Sequence, residues 1–227
     1  MTKFYICDSE TSGLKNAKAV EVAFVEVDPQ TLEIKQSWQS LIDPEIPIPP
    51  GASHIHGIYD HHVLTAPTME EFVSVVLNGP LEGDAVLVAH NATYDRPFFE
   101  PILNIKQTFC TLALARRLFP KPPPNGPANH RLGTLAEYLG LQAGEAHRAM
   151  SDVLTVHQML LKLLPGTGKT LAQHLDVPRH TIYTMPFGEH KGQPLASLPQ
   201  SYRTWLLTVT VDEDLRYSLM QLRAAGI

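Results

Sequence analysis

Asp8 and Glu10 stand two positions apart at the end of a short apolar run over residues 3–7. Asp95 follows a second apolar run, residues 84–89, and Asp152 stands early in a helical stretch with His147 five positions before it. If the first strand stays extended through Glu10, alternation sends both of its carboxylates to one face. Two carboxylates so close are costly unless a cation lies between them. Hard oxygen donors suit Mg²⁺ or Mn²⁺ rather than zinc. Two such ions, about 3.5–4 Å apart, form a clamp for in-line displacement at phosphorus. A histidine that titrates near neutrality can take the proton of the attacking water. Asp8, Glu10, Asp95 and Asp152 are therefore candidate ligands for two divalent ions, with His147 as the candidate base.

These residues need strand ends and a helix start to bring them together. Residues 3–7 read as a buried strand, and 9–13 as a turn. Residues 19–27 and 33–42 continue as strands, so the first three form an antiparallel meander. Four prolines in 44–51 mark a loop. Helical spacing appears at 69–78, from Thr93, at 111–119, at 131–139 and at 148–164. The proline-rich segment 121–130 reads as a mobile surface loop. Strands first, then strands alternating with helices, predict an α/β fold with a mixed sheet flanked by helices. Pro165-Gly166 reads as a break, giving a first domain over 1–165 and a small α+β module over 166–227.

Composition narrows the class. Of 227 residues, 44% are hydrophobic and 18% charged, ordinary globular usage. A first domain of roughly 160 residues buries about two thirds of its unfolded surface, so it needs no disulfide or structural metal to fold. Cys7 and Cys110 are the two cysteines, both in apolar surroundings, and read as buried thiols. No apolar run approaches the roughly 20 residues that span a bilayer, and the N-terminus carries no signal-peptide pattern. The expectation is a soluble, cytoplasmic protein without a membrane partner. The net charge of −5 argues against a generic nucleic-acid binder. That objection weakens for a metal nuclease, where bound cations restore positive charge at the phosphate. Gly166–Thr170 (GTGKT) is no phosphate loop, because Leu163 stands where the first glycine is needed.

The motifs together resemble those of the DEDDh 3′–5′ exonuclease family, which has a ribonuclease H-like fold. Asp8-Ser9-Glu10-Thr11-Ser12-Gly13-Leu14 resembles its first motif, and His90-Asn91-Ala92-Thr93-Tyr94-Asp95 its second. His147-Arg148-Ala149-Met150-Ser151-Asp152 resembles the third, with the same H-x₄-D spacing. The resemblance covers roughly residues 3–164. It implies that Asp8, Glu10 and Asp152 hold the metal carrying the nucleophilic water. It also implies that Asp8 bridges to a second metal supported by Asp95, and that His147 is the general base. Thr11, Leu14, Ile55, His56, Asn91 and Tyr94 match positions around the terminal nucleotide. Cys110-Thr111 stands where an Asp-Thr pair is common in the family.

The resemblance implies hydrolysis at DNA 3′ ends, single-stranded or duplex, releasing 5′-mononucleotides in repair or recombination. The same catalytic set serves RNA, so a 3′–5′ exoribonuclease stays open. A proofreading subunit of a DNA polymerase and an inactive nucleic-acid end-binding module stay open too. In the module, residues 185–192 followed by Leu198-Pro199 and Tyr202-x-x-Trp205 resemble a C-terminal element carried by a DNA-degrading branch of the family. Lys191, Arg203, Arg216 and Arg223 beside Phe187, Tyr202 and Trp205 would suit a single strand. Trp205 and Phe187 themselves are expected in the core of so small a domain, where aromatics supply much of the buried area.

Overall fold

The computed structural model describes residues 2–14, 16–119, 123–175, 181–209 and 213–227. The chain folds as two compact units, Met1–Leu175 and Asp176–Ile227.

The first unit is a five-stranded sheet in the order β3-β2-β1-β4-β5. Its strands are β1 (Lys3–Thr11), β2 (Ala19–Val27), β3 (Ile34–Leu41), β4 (Leu81–Ala89) and β5 (Leu103–Cys110). β1 pairs antiparallel with β2, and β2 with β3, so the expected meander is present. β1 pairs parallel with β4, and β4 with β5. β1 is thus the central strand, with one parallel and one antiparallel neighbour. Both of its faces are covered, which explains its continuous apolar run.

Between β3 and β4 lie α1 (Pro50–His56), α2 (Asp60–Val63) and α3 (Met69–Glu71), the last continuing as a π turn over Phe72–Val76. α1 begins inside the segment expected to be a loop. Proline is tolerated in the first helical turn, where its missing N–H has no partner to lose. α4 (Ala92–Phe99) follows β4, and α5 (Thr111–Leu118) follows β5. α6 (Leu132–Leu139), α7 (Ala149–Thr167) and α8 (Leu171–Leu175) complete the unit. Residues 121 and 122 of the proline-rich loop lie outside the described residues.

The two faces of β1 feed two cores. Phe4 and Ile6 pack with Val86, Val88 and the inward side of α7, including Val153, Val156 and Leu160. Tyr5 and Cys7 point the other way, toward Phe24, Leu87, the π-turn residue Phe72 and α4 residue Phe99. Fully burying one such aliphatic or aromatic side chain contributes about 1.5–3 kcal/mol. Cys7 and Cys110 are buried and unbridged. The sheet therefore clamps β1 between α7 on one face and α4 on the other, and the site uses both.

The first unit runs past Pro165-Gly166. α7 passes through Pro165 and stops at Gly168, which is left-handed at φ 67°. Leu171 is fully buried in the α7-side core, and its N–H donates to the Pro29 carbonyl at 3.1 Å. His174 is bound to the Thr167 hydroxyl at 2.8 Å.

The second unit contains a 3₁₀ turn at Leu195–Ser197, α9 (Gln200–Val209), α10 (Glu213–Ala224) and a bridge between Thr184 and Pro194. Its core is Met185, Leu195, Leu198, Leu206, Leu215 and Leu219. Trp205 is 52% exposed and Phe187 41%, so neither is a core residue, contrary to expectation. The aliphatic side chains of α9 and α10 fill the core, leaving the rings outside. Among the described residues no helix is long and apolar enough to cross a membrane.

Candidate active site

β1 stays extended through Asp8 and Glu10, beyond the apolar run that nucleates it. Asp8 pairs with Ala23 and Glu10 with Glu21 on β2, after which the register shifts. The two carboxylates therefore share the face of Phe4 and Ile6, which looks toward α7. Asp152 stands in the first turn of α7. The His147 backbone lies against its carboxylate. Ligand atoms of Glu10, His147 and Asp152 all lie within 4.8 Å of one another.

Asp95 arrives from the opposite face. It stands in the first turn of α4 and is 3% exposed. Ser9, between the two carboxylates of β1 and pointing the other way, fixes it. The Ser9 hydroxyl donates to Asp95 Oδ1 at 2.8 Å and the Ser9 backbone N–H to the same oxygen at 3.1 Å. Nothing in the spacing of residues singles Ser9 out for this.

The electrostatics show four carboxylates competing for charge. Burial first, then Asp95, Asp152, Glu10 and Glu21, pushes the Asp8 carboxyl well above its ordinary range. Burial and then Asp152, Glu21 and Asp95 push Glu10 up to about 8. Burial pushes Asp95 up to about 7, against the opposing hydrogen bonds from Ser9. Asp152 is raised by burial, which the nearby His147 opposes. A divalent cation removes this conflict, because it favours every ionised form at once. Among the described residues the carboxylates of Glu10 and Asp152, with the His147 ring, lie close enough to share one ion, whereas Asp8 and Asp95 fall outside that group.

Glu21 is a further carboxylate in the site, absent from the residues that the sequence motifs single out. It is fully buried. It accepts from Arg148 Nε at 3.2 Å and Nη2 at 2.9 Å, from the Ala149 N–H at 2.9 Å and from Gln39 Nε2 at 3.0 Å. Burial alone would raise its pKa; the bonds from Arg148, Ala149 and Gln39 outweigh burial and leave it below the usual range. Arg148 is the cap residue of α7 and directly follows His147, whose φ of 61° is left-handed. A non-glycine residue there costs of order 1–3 kcal/mol and persists only where its surroundings enforce it. The Glu21–Arg148 pair pins the residue next to it.

A cavity of about 460 Å³ adjoins Glu10. Thr11, Leu14, Ile55, His56 and Tyr94, all singled out from the sequence, line it. The hydroxyls of Thr11 and Tyr94 lie 2.6 Å apart and reach the Gly13 carbonyl at 2.9 and 3.0 Å. Leu14 is 90% exposed and Ile55 59%, so two apolar side chains stand free at the mouth. His56 is buried; its Nδ1 accepts the Ile58 N–H at 3.0 Å, and its Nε2, near the Thr11 backbone, makes no full hydrogen bond. Asn91, expected in the same group, does not line this cavity. Its left-handed backbone, φ 77°, turns it toward a different one.

Comparison with known proteins agrees with this architecture. A family model described as an exonuclease, of the RNase T group, matches residues 5–160. A second model, named for a quorum-sensing-regulated virulence factor, matches residues 176–209. Exodeoxyribonuclease 10 of Escherichia coli K12 is 28% identical over 209 residues, 88% of this chain and 89% of that protein. A PolC-type DNA polymerase III of Caldanaerobacter subterraneus is 30% identical over 170 residues, 71% of this chain but 12% of that polymerase. The solved structure of exonuclease X with 5′-overhanging duplex DNA superposes with a TM-score of 0.59 at 29% identity, over 76% of this chain and 98% of that one. Exonuclease I of E. coli, solved with a dT13 oligonucleotide, shares the fold at 20% identity and a TM-score of 0.61, over 79% of this chain and 44% of that one. The matched family depends on divalent metals, which the oxygen-rich donor set suits. With its mixed sheet, its three motifs and its gathered carboxylates, the chain belongs to the DEDDh type of 3′–5′ exonuclease family and is a nuclease.

Proposed function

We propose that this chain is a 3′–5′ exodeoxyribonuclease that hydrolyses terminal phosphodiester bonds at DNA 3′ ends, releases 5′-mononucleotides and serves DNA repair or recombination. The observation that carries the reading is the convergence of Glu10, His147 and Asp152 within 4.8 Å beside a nucleoside-sized cavity. DNA as the substrate rests on the relatives: an exodeoxyribonuclease at 28% identity, and exonuclease X bound to duplex DNA at 29%.

Asp8, Glu10, Asp95 and Asp152 would hold two divalent cations, Mg²⁺ or Mn²⁺. When bound, such ions lower the pKa of water and neutralise charge on the reacting phosphate. The terminal base would lie between Leu14 and Ile55, whose exposed apolar surfaces it covers. His56 Nε2, buried and without a full hydrogen bond, would bond the terminal sugar hydroxyl. Thr11 and Tyr94 hold the Gly13 turn that forms the pocket floor. The His147 imidazole would accept a proton from the attacking water, with the Asp152 carboxylate within 4.8 Å to stabilise the imidazolium that forms. The bond to the 3′ oxygen of the penultimate nucleotide then breaks in line.

The test is nucleotide release from 3′-labelled DNA with Mg²⁺, with matched RNA in competition. The expected outcome is release of 5′-mononucleotides from DNA that Asp8→Ala abolishes. Full activity in that variant would sink the reading, and faster release from RNA would reassign the substrate. A proofreading role is a second reading, favoured by the 30% identity with the polymerase. It requires the full chain to co-purify with a DNA polymerase.

A further inference from the structure

The second unit keeps its rings outside its core. In so small a unit, a buried indole or phenol ring would be a large source of stability. The core is instead aliphatic, and Tyr183, Phe187 and Trp205 are exposed. Some of the rings form a row. Those of His190 and Tyr202 lie 4.6 Å apart and those of Tyr202 and Trp205 5.3 Å apart, with Tyr202 in the middle. Two elements assemble the row. A hairpin closed by the Thr184–Pro194 bridge, and by the Met185 N–H on the Gln193 carbonyl at 2.8 Å, carries His190. α9 carries Tyr202 and Trp205, three residues apart and therefore on one face. Gly188 is left-handed at φ 71°, and a side chain there would start 4.0 Å from the Tyr202 hydroxyl, so the turn closes over α9.

Cations accompany the rings. Lys191 follows His190 in the turn and is exposed, and Arg203 follows Tyr202 on α9 and is half-buried. Between residues 181 and 209 the sole acid is Glu189. Arg203 adds an independent sign. Its Nε and Nη1 are shielded from water and have no hydrogen-bond partner among the described residues. A guanidinium that has lost water without gaining an acceptor favours a bound anion, and a phosphate matches its fork. Flat rings with cations at their edges suit a single-stranded polynucleotide, whose bases stack while its phosphates pair with the cations. An apolar protein partner would leave both cations unmatched.

We propose that the second unit binds a single-stranded polynucleotide across His190, Tyr202 and Trp205, with Lys191 and Arg203 on its phosphates. With one acid among these residues the surface has no cation-binding set, so it holds a strand without cutting it. The choice of a nucleic acid as occupant leans on the nuclease family of the first unit. Binding itself does not depend on the reading of that unit as a DNA 3′-end exonuclease.

Trp38 and Trp205 are the two tryptophans, so Trp38→Phe in the full chain leaves Trp205 as the sole indole. Its fluorescence is titrated with a thymidylate dodecamer and, separately, a uridylate dodecamer, in chelator so that neither is hydrolysed. Saturable quenching is expected, and the tighter of the two names the strand. In the same background, Lys191→Ala/Arg203→Gln should weaken the salt slope of log Kd by about 1.4, at about 0.7 per phosphate contact on a single strand, and Lys191→Ala alone by about half of that. Anisotropy of a labelled dodecamer needs no change at Trp38. By that measure Trp205→Ala should raise Kd at least about fivefold, the lower end for one lost stacked base, and Trp205→Phe should restore most of the loss. Circular dichroism checks that each variant is folded. No quenching by either strand overturns the proposal and leaves the exposed rings to a protein partner. An unchanged salt slope in the double variant, or an unchanged Kd in Trp205→Ala, overturns it too. If the unaltered protein cleaves no DNA while Trp205 is still quenched, the exonuclease reading fails and the binding surface stands.

Discussion

The Glu21 carboxylate holds Arg148 by both Nε, at 3.2 Å, and Nη2, at 2.9 Å, across 127 residues of sequence. The bond fixes the cap of α7, and so sets where the chain turns through His147 and where Asp152 begins the helix. Groups behind metal ligands of this kind are worth about 10–100-fold in activity or metal affinity. Glu21→Gln should therefore lower kcat by about that factor with KM little changed. It should also lower Tm, by less than a fully buried pair would, because the Arg148 side chain is 38% exposed and water partly replaces its partner. Steady-state kinetics on the folded variant decide: lost stability with normal turnover would leave Glu21 a purely structural residue.

His147 lies close enough to Glu10 and Asp152 to be read either as a base or as a metal ligand. As the base, its removal should cost turnover about 10²–10⁴-fold. His147→Ala should then bind Mn²⁺ with nearly unaltered affinity by calorimetric titration. A metal affinity that collapses together with kcat would make the imidazole a ligand instead.

The carboxylates of β1 are legible in the sequence because β1 is central and covered on both faces, so its continuous apolar run ends at them. Its apolar run places Asp8 and Glu10, and the spacing from His147 places Asp152. Glu21 is not legible. It stands in the valine-rich β2, where a charged residue such as Glu21 or Glu26 reads as outward-facing, and its burial depends on a partner far along the chain. β5 escapes notice for a related reason. A register shift against β4 breaks its period, leaving Lys106 and Gln107 both exposed, so no alternation survives. Asn91 groups with Tyr94 by motif, yet one left-handed residue is enough to aim it into the other cavity. Long-range pairing and single backbone dihedrals are what a periodicity argument cannot carry.

The second unit offers a sharp contrast between neighbours on α9. Leu206 is 1% exposed in its core, whereas Trp205 is 52% exposed and touches Tyr202 with rings 5.3 Å apart. Leu206→Ala should cost about 2–5 kcal/mol of that unit's stability. Trp205→Ala should cost within about 0.5 kcal/mol, as a surface change does. Denaturant unfolding followed by circular dichroism measures both. Equal losses would mean that the indole ring supports the fold after all.

The raised carboxyls of the site give a signed pH dependence. Glu10 at about 8 and Asp95 at about 7 both lie above their ordinary values of 4.5 and 3.8. The folded protein then binds more protons than the unfolded chain across that window. Stability falls with pH wherever the folded state holds the extra protons. Without divalent cations, the contribution of these two groups is fully present below about pH 4 and is lost as pH rises through 7 to 8. Cation binding must displace those protons, so the apparent affinity for Mg²⁺ should rise over the same interval. The first unit in chelator should accordingly lose Tm between pH 6 and about pH 8.5, and saturating Mg²⁺ should restore most of the loss at the upper end. Melting curves with and without the metal, repeated on Asp8→Asn/Glu10→Gln, read this directly. The variant lacks two of the competing charges, so its metal-free Tm should be higher at pH 8 and respond little to Mg²⁺. A Tm that rises with pH in chelator, or an undiminished Mg²⁺ response in the variant, would contradict the assignment of these carboxylates as a shared cation site.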